Sequence, residues 1–241
     1  MNTLKLCAKP LLISVAALTL AACGGKDDDD MMMYQYDVTV TNLSYSQPFS
    51  PLAAVLHGND YQPWQLGEAA SAGLENLAES GDNSGFLQEA TDMSWAQQSS
   101  TGVLLPSNQA TLQLMAMVND EDKAQLQLSL ATMLVNTNDA FTGINSLDLS
   151  SLAEGEQVQH DLYIYDAGTE ANSEAVGTIP GPADGGEGYN AARDDVNYVA
   201  MHPGVVGRDH MGEAQAVSPS VLSSAHTFDQ PIARLTVRRT Q

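Results

Sequence analysis

Cysteine is almost missing from this 241-residue chain: two occur, Cys7 and Cys23, and residues 24–241 have none. A folded region without thiols excludes a disulfide framework, a cysteine-based zinc site and a thiol nucleophile. Its stability must come from its core. Basic residues are also scarce, 9 against 30 acidic, for a net charge of −21. Nucleic acid is excluded as a partner on that count, because phosphate binding needs a basic stripe. Charge-driven docking on anionic lipid is excluded likewise. Catalytic signatures are lacking: there is no nucleophile elbow, P-loop, Gly-x-Gly-x-x-Gly after a strand, or His-Glu-x-x-His. The expectation is a protein that is not an enzyme. An acidic surface suits divalent cations or basic partners, and it also keeps a protein soluble.

What is present begins with Lys5, Lys9 and the apolar stretch Leu11 to Leu20, closing on Leu20-Ala21-Ala22-Cys23. A run this short, with a basic flank and small residues at its end, reads as a secretory signal and not a membrane span. Its end resembles a bacterial lipobox, in which the signal is cut before the cysteine. The resemblance implies a signal over 1–22, a lipid on Cys23 and a membrane link made by that lipid. Gly24 at the next position favours the outer membrane, on its periplasmic face or at the cell surface. Loss of Lys5 and Lys9 takes the net charge from −21 to −23. Residues 23–33, glycine-led and carrying Asp27 to Asp30, read as a flexible acidic tether.

The folded region is expected over 34–241. Tyr34, Tyr36, Val38 and Val40 alternate with polar residues, the period-2 pattern of a half-buried strand. An apolar run at 50–57 predicts a second strand. Leu66, Ala70, Leu74 and Leu77 recur at helical spacing, predicting one short amphipathic helix that ends at Ser80-Gly81. Two further alternating runs, 112–118 and 126–134, are separated by Asn119 to Lys123 and read as an antiparallel hairpin. Strands follow at 158–166, 196–201 and 231–239. Many short strands, one helix and long loops at 170–195 and 203–228 predict a mostly β, antiparallel β-sandwich. Strand–helix alternation, which would mark a parallel sheet, is missing.

Five histidines occur, His57, His160, His202, His210 and His226. His160 falls on the apolar face of a predicted strand and reads as a core residue. His202 and His210, in one loop with carboxylates nearby, support an alternative reading: a metal-dependent enzyme or a transition-metal-binding envelope protein. A carboxylate cluster is the other candidate. Asn136-Thr-Asn-Asp139 ends one predicted strand, and Asp166-Ala-Gly168-Thr-Glu170 ends another. In a sandwich the two exits can meet and bring Asp139, Asp166 and Glu170 together, as Ca²⁺ with its six to eight oxygen ligands requires. Gly168 allows the chain to reverse between 166 and 170. Taken by residue type alone, the same acids also make ordinary strand-end turns.

The stretches Asp139-Ala-Phe-Thr-Gly143 and Asp166-Ala-Gly-Thr-Glu170, in this order, resemble the spondin N-terminal domain family found in F-spondin and mindin. Residues 36–57 and 231–239 are similar to that family's first and last strands, and the resemblance covers about 34–239. It implies a C2-like antiparallel β-sandwich, with one Ca²⁺ held at its loop end by Asp139, Asp166 and Glu170. It also implies a job in adhesion or recognition of a protein or glycan ligand. This chain departs from the family in carrying Glu at 170 and Ala140 beside the first Asp. It also lacks the animal cysteines and has a segment, 181–228, without a clear animal counterpart.

Overall fold

The structure is a computed structural model, and it describes residues 31–209 and 220–241. Cys23, the signal and most of the tether lie outside the described residues, as does His210. The elements in chain order are β1 (Met32–Asn42), β2 (Ala53–His57), α1 (Ala72–Ser80), α2 (Ser84–Glu89), β3 (Ser94–Ser99), β4 (Gln109–Val118), α3 (Asp120–Lys123), β5 (Gln127–Met133), β6 (Ala140–Asp148), β7 (Gln157–Asp166), β8 (Ala200–Met201) and β9 (Ala233–Arg239). β1 thus begins just before the expected start of the domain at Tyr34.

Every pairing is antiparallel, in the order β3-β2-β5-β6-β7-β9-β1-β4, with β8 added to β7. β7 serves both halves. Gln157 to Leu162 pair with β9, and Tyr163 to Asp166 pair with β6. Two leaves result, β4-β1-β9-β7 and β7-β6-β5-β2-β3, and the outermost strands β3 and β4 come side by side, so the sandwich nearly closes. The expected antiparallel β-sandwich is what the chain forms.

The alternation in β1 does its predicted work. Tyr34, Tyr36, Val38 and Val40 turn inward with Leu112, Leu114, Leu235 and Val237, and all are buried. Each such side chain contributes about 1.5–3 kcal/mol by leaving water. The second leaf is covered on both faces. Its outer side packs Ala53, Val55, Ala131 and Phe141 against Leu74 and Leu77 of α1, Phe86 of α2 and Trp64. Two-sided burial is why β2 reads as a continuous apolar run and not an alternating one.

Five expectations need correction, the first being that the described residues form three α-helices and not one, α2 and α3 being too short to show helical periodicity. The runs 112–118 and 126–134 do not form a hairpin: β4 pairs with β1, and β5 pairs with β2 and β6. Residues between them form α3, capped by the Asn119 side chain on the Asp122 N–H at 2.8 Å, which carries the chain from one leaf to the other. Both runs face one core, so their patterns match without their pairing. The helix starts at Ala72 and not near Leu66, because Ser71 caps the Leu74 N–H at 3.1 Å. Leu66 stays exposed. Of the strand expected at 196–201, Ala200 and Met201 alone pair. The N–H groups of Asn197 and Val199 go instead to the carbonyls of Gly168 and Glu68. His160 is half-exposed, lining an open cleft with Gln159, Asp161 and Arg234, because the inward face of β7 becomes fully buried only from Leu162.

Candidate functional site

The register of β6 against β7 builds the site. Ala140 is the partner of Asp166, so Asp139 at the start of one strand stands beside Asp166 at the end of the other. Gly143 allows this pairing to sit close to β5: a Cβ there would lie 2.0 Å from the Leu130 carbonyl oxygen. The loop before Asp139 is fixed from within. Thr137 Oγ1 donates to the Leu134 carbonyl at 2.6 Å and accepts the Ala140 N–H at 3.1 Å. Asn138 Nδ2 donates to Glu170 Oε1 at 2.8 Å and to Thr178 Oγ1 at 2.9 Å.

The 166–170 turn has an equally specific construction. Asp166 Oδ1 accepts the Gly168 N–H at 2.7 Å, and Asp166 Oδ2 accepts from Asn172 Nδ2 at 2.5 Å. Gly168 has φ +70°, and a Cβ on it would stand 2.3 Å from the Tyr198 carbonyl oxygen. Asp139 then closes the turn: its Oδ2 accepts the Thr169 N–H at 2.8 Å, the Thr169 hydroxyl at 3.2 Å and the Glu170 N–H at 3.1 Å. Its Oδ1 is buried with no partner at all. The segment 194–198 latches over the turn, with Asp194 N–H on the Thr169 carbonyl and Asn197 N–H on the Gly168 carbonyl.

Negative charge has collected in this place. Burial, and then the Asp166 charge, push the Asp139 carboxyl up to about 7. Burial raises Asp166 as well, against the hydrogen bonds from Asn172 and Gly168. Glu170 is pushed up to about 7 by burial, opposed by the Asn138 hydrogen bond and reinforced by Glu79, Asp194 and Glu187. Asp195 is raised by burial and by Asp166. Two strand-end turns alone give no physical cause for so many carboxyls desolvated together.

The three acids singled out in the sequence are therefore neighbours. Asp139 and Asp166 are buried, and Glu170 sits at the rim. Among the described residues no three His, Cys, Asp or Glu side chains converge on a point that would hold a metal ion as they stand. The donor chemistry, carboxylate and backbone oxygens with the Asp139 Oδ1 orphaned and buried, fits a hard cation. Sequence reasoning missed Glu79 of α1. It is buried, its Oε2 accepts the Asn190 N–H at 2.8 Å, and its Oε1 has no partner. Burial raises it, against the hydrogen bond from the Asn190 N–H. Its helical periodicity marks an ordinary solvated position, and only the fold of 187–197 over α1 buries it.

Among the described residues no histidine joins the acids in a metal-holding group, although His202 lines a small cavity with Asn138 and Asn172, which bond Glu170 and Asp166. His57 bonds Gly58 O at 2.7 Å and Ser129 Oγ at 2.8 Å. His226 Nδ1 takes the Ser223 N–H at 3.1 Å. His202 Nδ1 accepts the Gly204 N–H at 2.9 Å, so its proton sits on Nε2, which is buried and unpartnered. A ring protonated at that nitrogen does not present a lone pair to a metal there. Nearby, Glu174 gathers the long insertion: its carboxylate accepts from Val206 N at 2.6 Å, Gly207 N at 2.8 Å and Ser220 Oγ at 2.6 Å.

The Spondin_N family model matches residues 34–176, which hold both acidic turns. Spondin-2 from Homo sapiens is 33% identical over 141 residues, 55% of this chain and 42% of that protein. Spondin-2 from Rattus norvegicus is 34% identical over 144 residues, with the same shares covered. The match thus spans less than half the length of these curated relatives.

Proposed function

The chain belongs to the Spondin_N family, and from that premise we propose a non-catalytic extracytoplasmic recognition or adhesion module whose acidic turns are joined by one Ca²⁺ ion. The observation that carries this reading is Asp139 Oδ1, a fully buried acid oxygen without a partner beside a second buried carboxylate. Asp139, Asp166 and Glu170 would hold the ion, with Glu79 at hand and carbonyls or water completing the shell. The ion would supply the positive charge that lets these carboxyls stay ionised out of water. Asp139 binds the second turn through backbone N–H groups, so the protein itself sets the spacing of the two turns.

In this proposal the module is tethered to the cell envelope, at the outer membrane, by a lipid on Cys23. It meets a protein or glycan ligand through its end loops. Membership of the Spondin_N family, the acidic charge and the lipobox-like signal support that reading. Mass spectrometry of a Cys23→Ser variant against the wild type checks the lipid, which must disappear in the variant.

The calcium claim is tested by thermal unfolding with Ca²⁺ or a chelator. An ion bound by the folded state alone stabilises by about 2.7 kcal/mol at a hundredfold excess over Kd. The wild type must shift and Asp166→Asn must lose the shift. No shift in the wild type, or the same shift in both, would sink it.

A further inference from the structure

Methionine interrupts the polar outer face of the β1–β4 ladder. The outward residues of β1 are Met33, Gln35, Asp37 and Thr39, and those of β4 are Thr111, Gln113, Met115 and Met117. The polar members satisfy one another: Thr39 bonds Thr111 at 2.8 Å and Gln113 bonds Asp37 at 3.0 Å. The neighbouring strand continues the polar face with Arg234, Thr236 and Arg238. At the N-terminal end of β1 the pattern changes to thioethers.

The register gathers them. Met33 is the direct partner of Met117, and Met115 is the partner of Gln35, two residues along the same face. Direct cross-strand Cβ atoms are about 4.5–5.5 Å apart and diagonal neighbours about 7–8 Å. A methionine side chain has three rotatable bonds and no branch, so three sulfurs from these positions can meet above the ladder without moving the backbone. Met115 and Met117 are 53% and 52% exposed, and Met33 is half-buried.

An apolar docking face would be served better by β-branched residues, which strands favour and which lose less side-chain entropy. None stands at 33, 115 or 117; the outward Thr39 and Thr111 bond each other at 2.8 Å, and the exposed residues before Met33, Met31 and Met32, are again methionines. Thioether sulfur is a soft, uncharged ligand that selects Cu(I) over hard cations. The protein's negative charge favours a cation, and residues 24–241 offer no thiol to compete. We propose that Met33, Met115 and Met117 form a binding site for Cu(I). It lies at the opposite end of the sandwich from the acidic turns and is independent of the calcium reading.

The test uses the full chain with Cys7→Ser and Cys23→Ser, which removes thiols that would capture the metal themselves. Ag(I) serves as a redox-inert probe, and Cu(I) is then titrated anaerobically against a chromophoric chelator. One equivalent of Ag(I) should shift the methyl resonances of Met33, Met115 and Met117 together, and leave that of Met201, which pairs with Tyr165 near the acidic turns, in place. Met33→Leu and Met117→Leu conserve volume and should each weaken Cu(I) binding at least tenfold; the triple leucine variant should abolish it. The proposal is overturned if the three resonances stay put at one equivalent, or if the triple variant binds Cu(I) as the parent does.

Discussion

Asp139 holds Thr169 twice with one oxygen, accepting its N–H at 2.8 Å and its hydroxyl at 3.2 Å. The same oxygen takes the Glu170 N–H at 3.1 Å. One carboxylate from the start of β6 thus sets the shape of the turn after β7, whether or not an ion is bound.

Asp139→Ala should cost about 2–4 kcal/mol of stability, since it leaves a buried N–H, a half-buried N–H and a buried hydroxyl without an acceptor. Urea unfolding in the presence of a chelator measures this apart from any metal. A loss under about 0.5 kcal/mol would mean that the turn keeps its shape without the tie.

Acidity should matter in a defined direction. Asp139 and Glu170, both pushed up to about 7, bind a proton more tightly folded than unfolded. Their contribution is present at low pH and is lost as pH rises from about 4 through 7. His202 opposes them over most of that window, between about 4 and 6.5. The useful quantity is therefore a difference: without metal, Asp139→Asn should lose less stability than the wild type between pH 4 and 7. Saturating Ca²⁺ should flatten the wild-type curve in the same way. Parallel denaturation midpoints across that range for both proteins would contradict it.

His202 is held neutral by burial, which pushes it down to about 4 against the raising influence of Glu174. Its contribution to stability is present above the unfolded value of 6.5 and is lost as pH falls toward 4. In proton NMR its ring signals should not titrate between pH 8 and 5. A midpoint near 6.5 would show a ring open to water.

Two glycines should resist substitution for different reasons. In Gly168→Ala the side chain meets the Tyr198 carbonyl oxygen at 2.3 Å, on a backbone with φ +70°. In Gly143→Ala the clash is with the Leu130 carbonyl at 2.0 Å, across a strand pair. Each should cost at least about 2 kcal/mol, read from thermal or urea unfolding. Gly168→Ala should in addition weaken Ca²⁺ binding, because the turn that it would distort carries Asp166 and Glu170.

The sandwich was legible wherever one face of a strand is buried and the other wet. Tyr34 to Val40 and Ala233 to Val237 announce themselves by alternation, and their inward residues are those expected. Partnership was less legible. β4 and β5 share a core, so their identical patterns suggested a hairpin that α3 in fact divides. The two acidic turns were visible as residues, and the family resemblance joined them, but their burial was not. It arises from Asn136, Asn138 and the 187–198 segment folding over positions that, by type, belong on a surface. Glu79 illustrates the limit: nothing in Glu-Asn-Leu-Ala-Glu separates a solvated helix acid from one sealed beneath a loop a hundred residues later.

β1 lies between β4 and β9, bonded along nearly its whole length. Asn42 aligns with Ala233, and Ala233 with Leu162, so β7 runs parallel to β1 and ends beyond it at Asp166. The chain therefore enters the domain at one pole and presents its acidic turns at the other. If the chain is attached at its N-terminus and holds a ligand at those turns, as proposed above, tension between the two runs along the strand axes. Two hydrogen-bond ladders then carry the load side by side in shear, and no single bond is peeled first. A domain wired in this way is suited to holding on under pull.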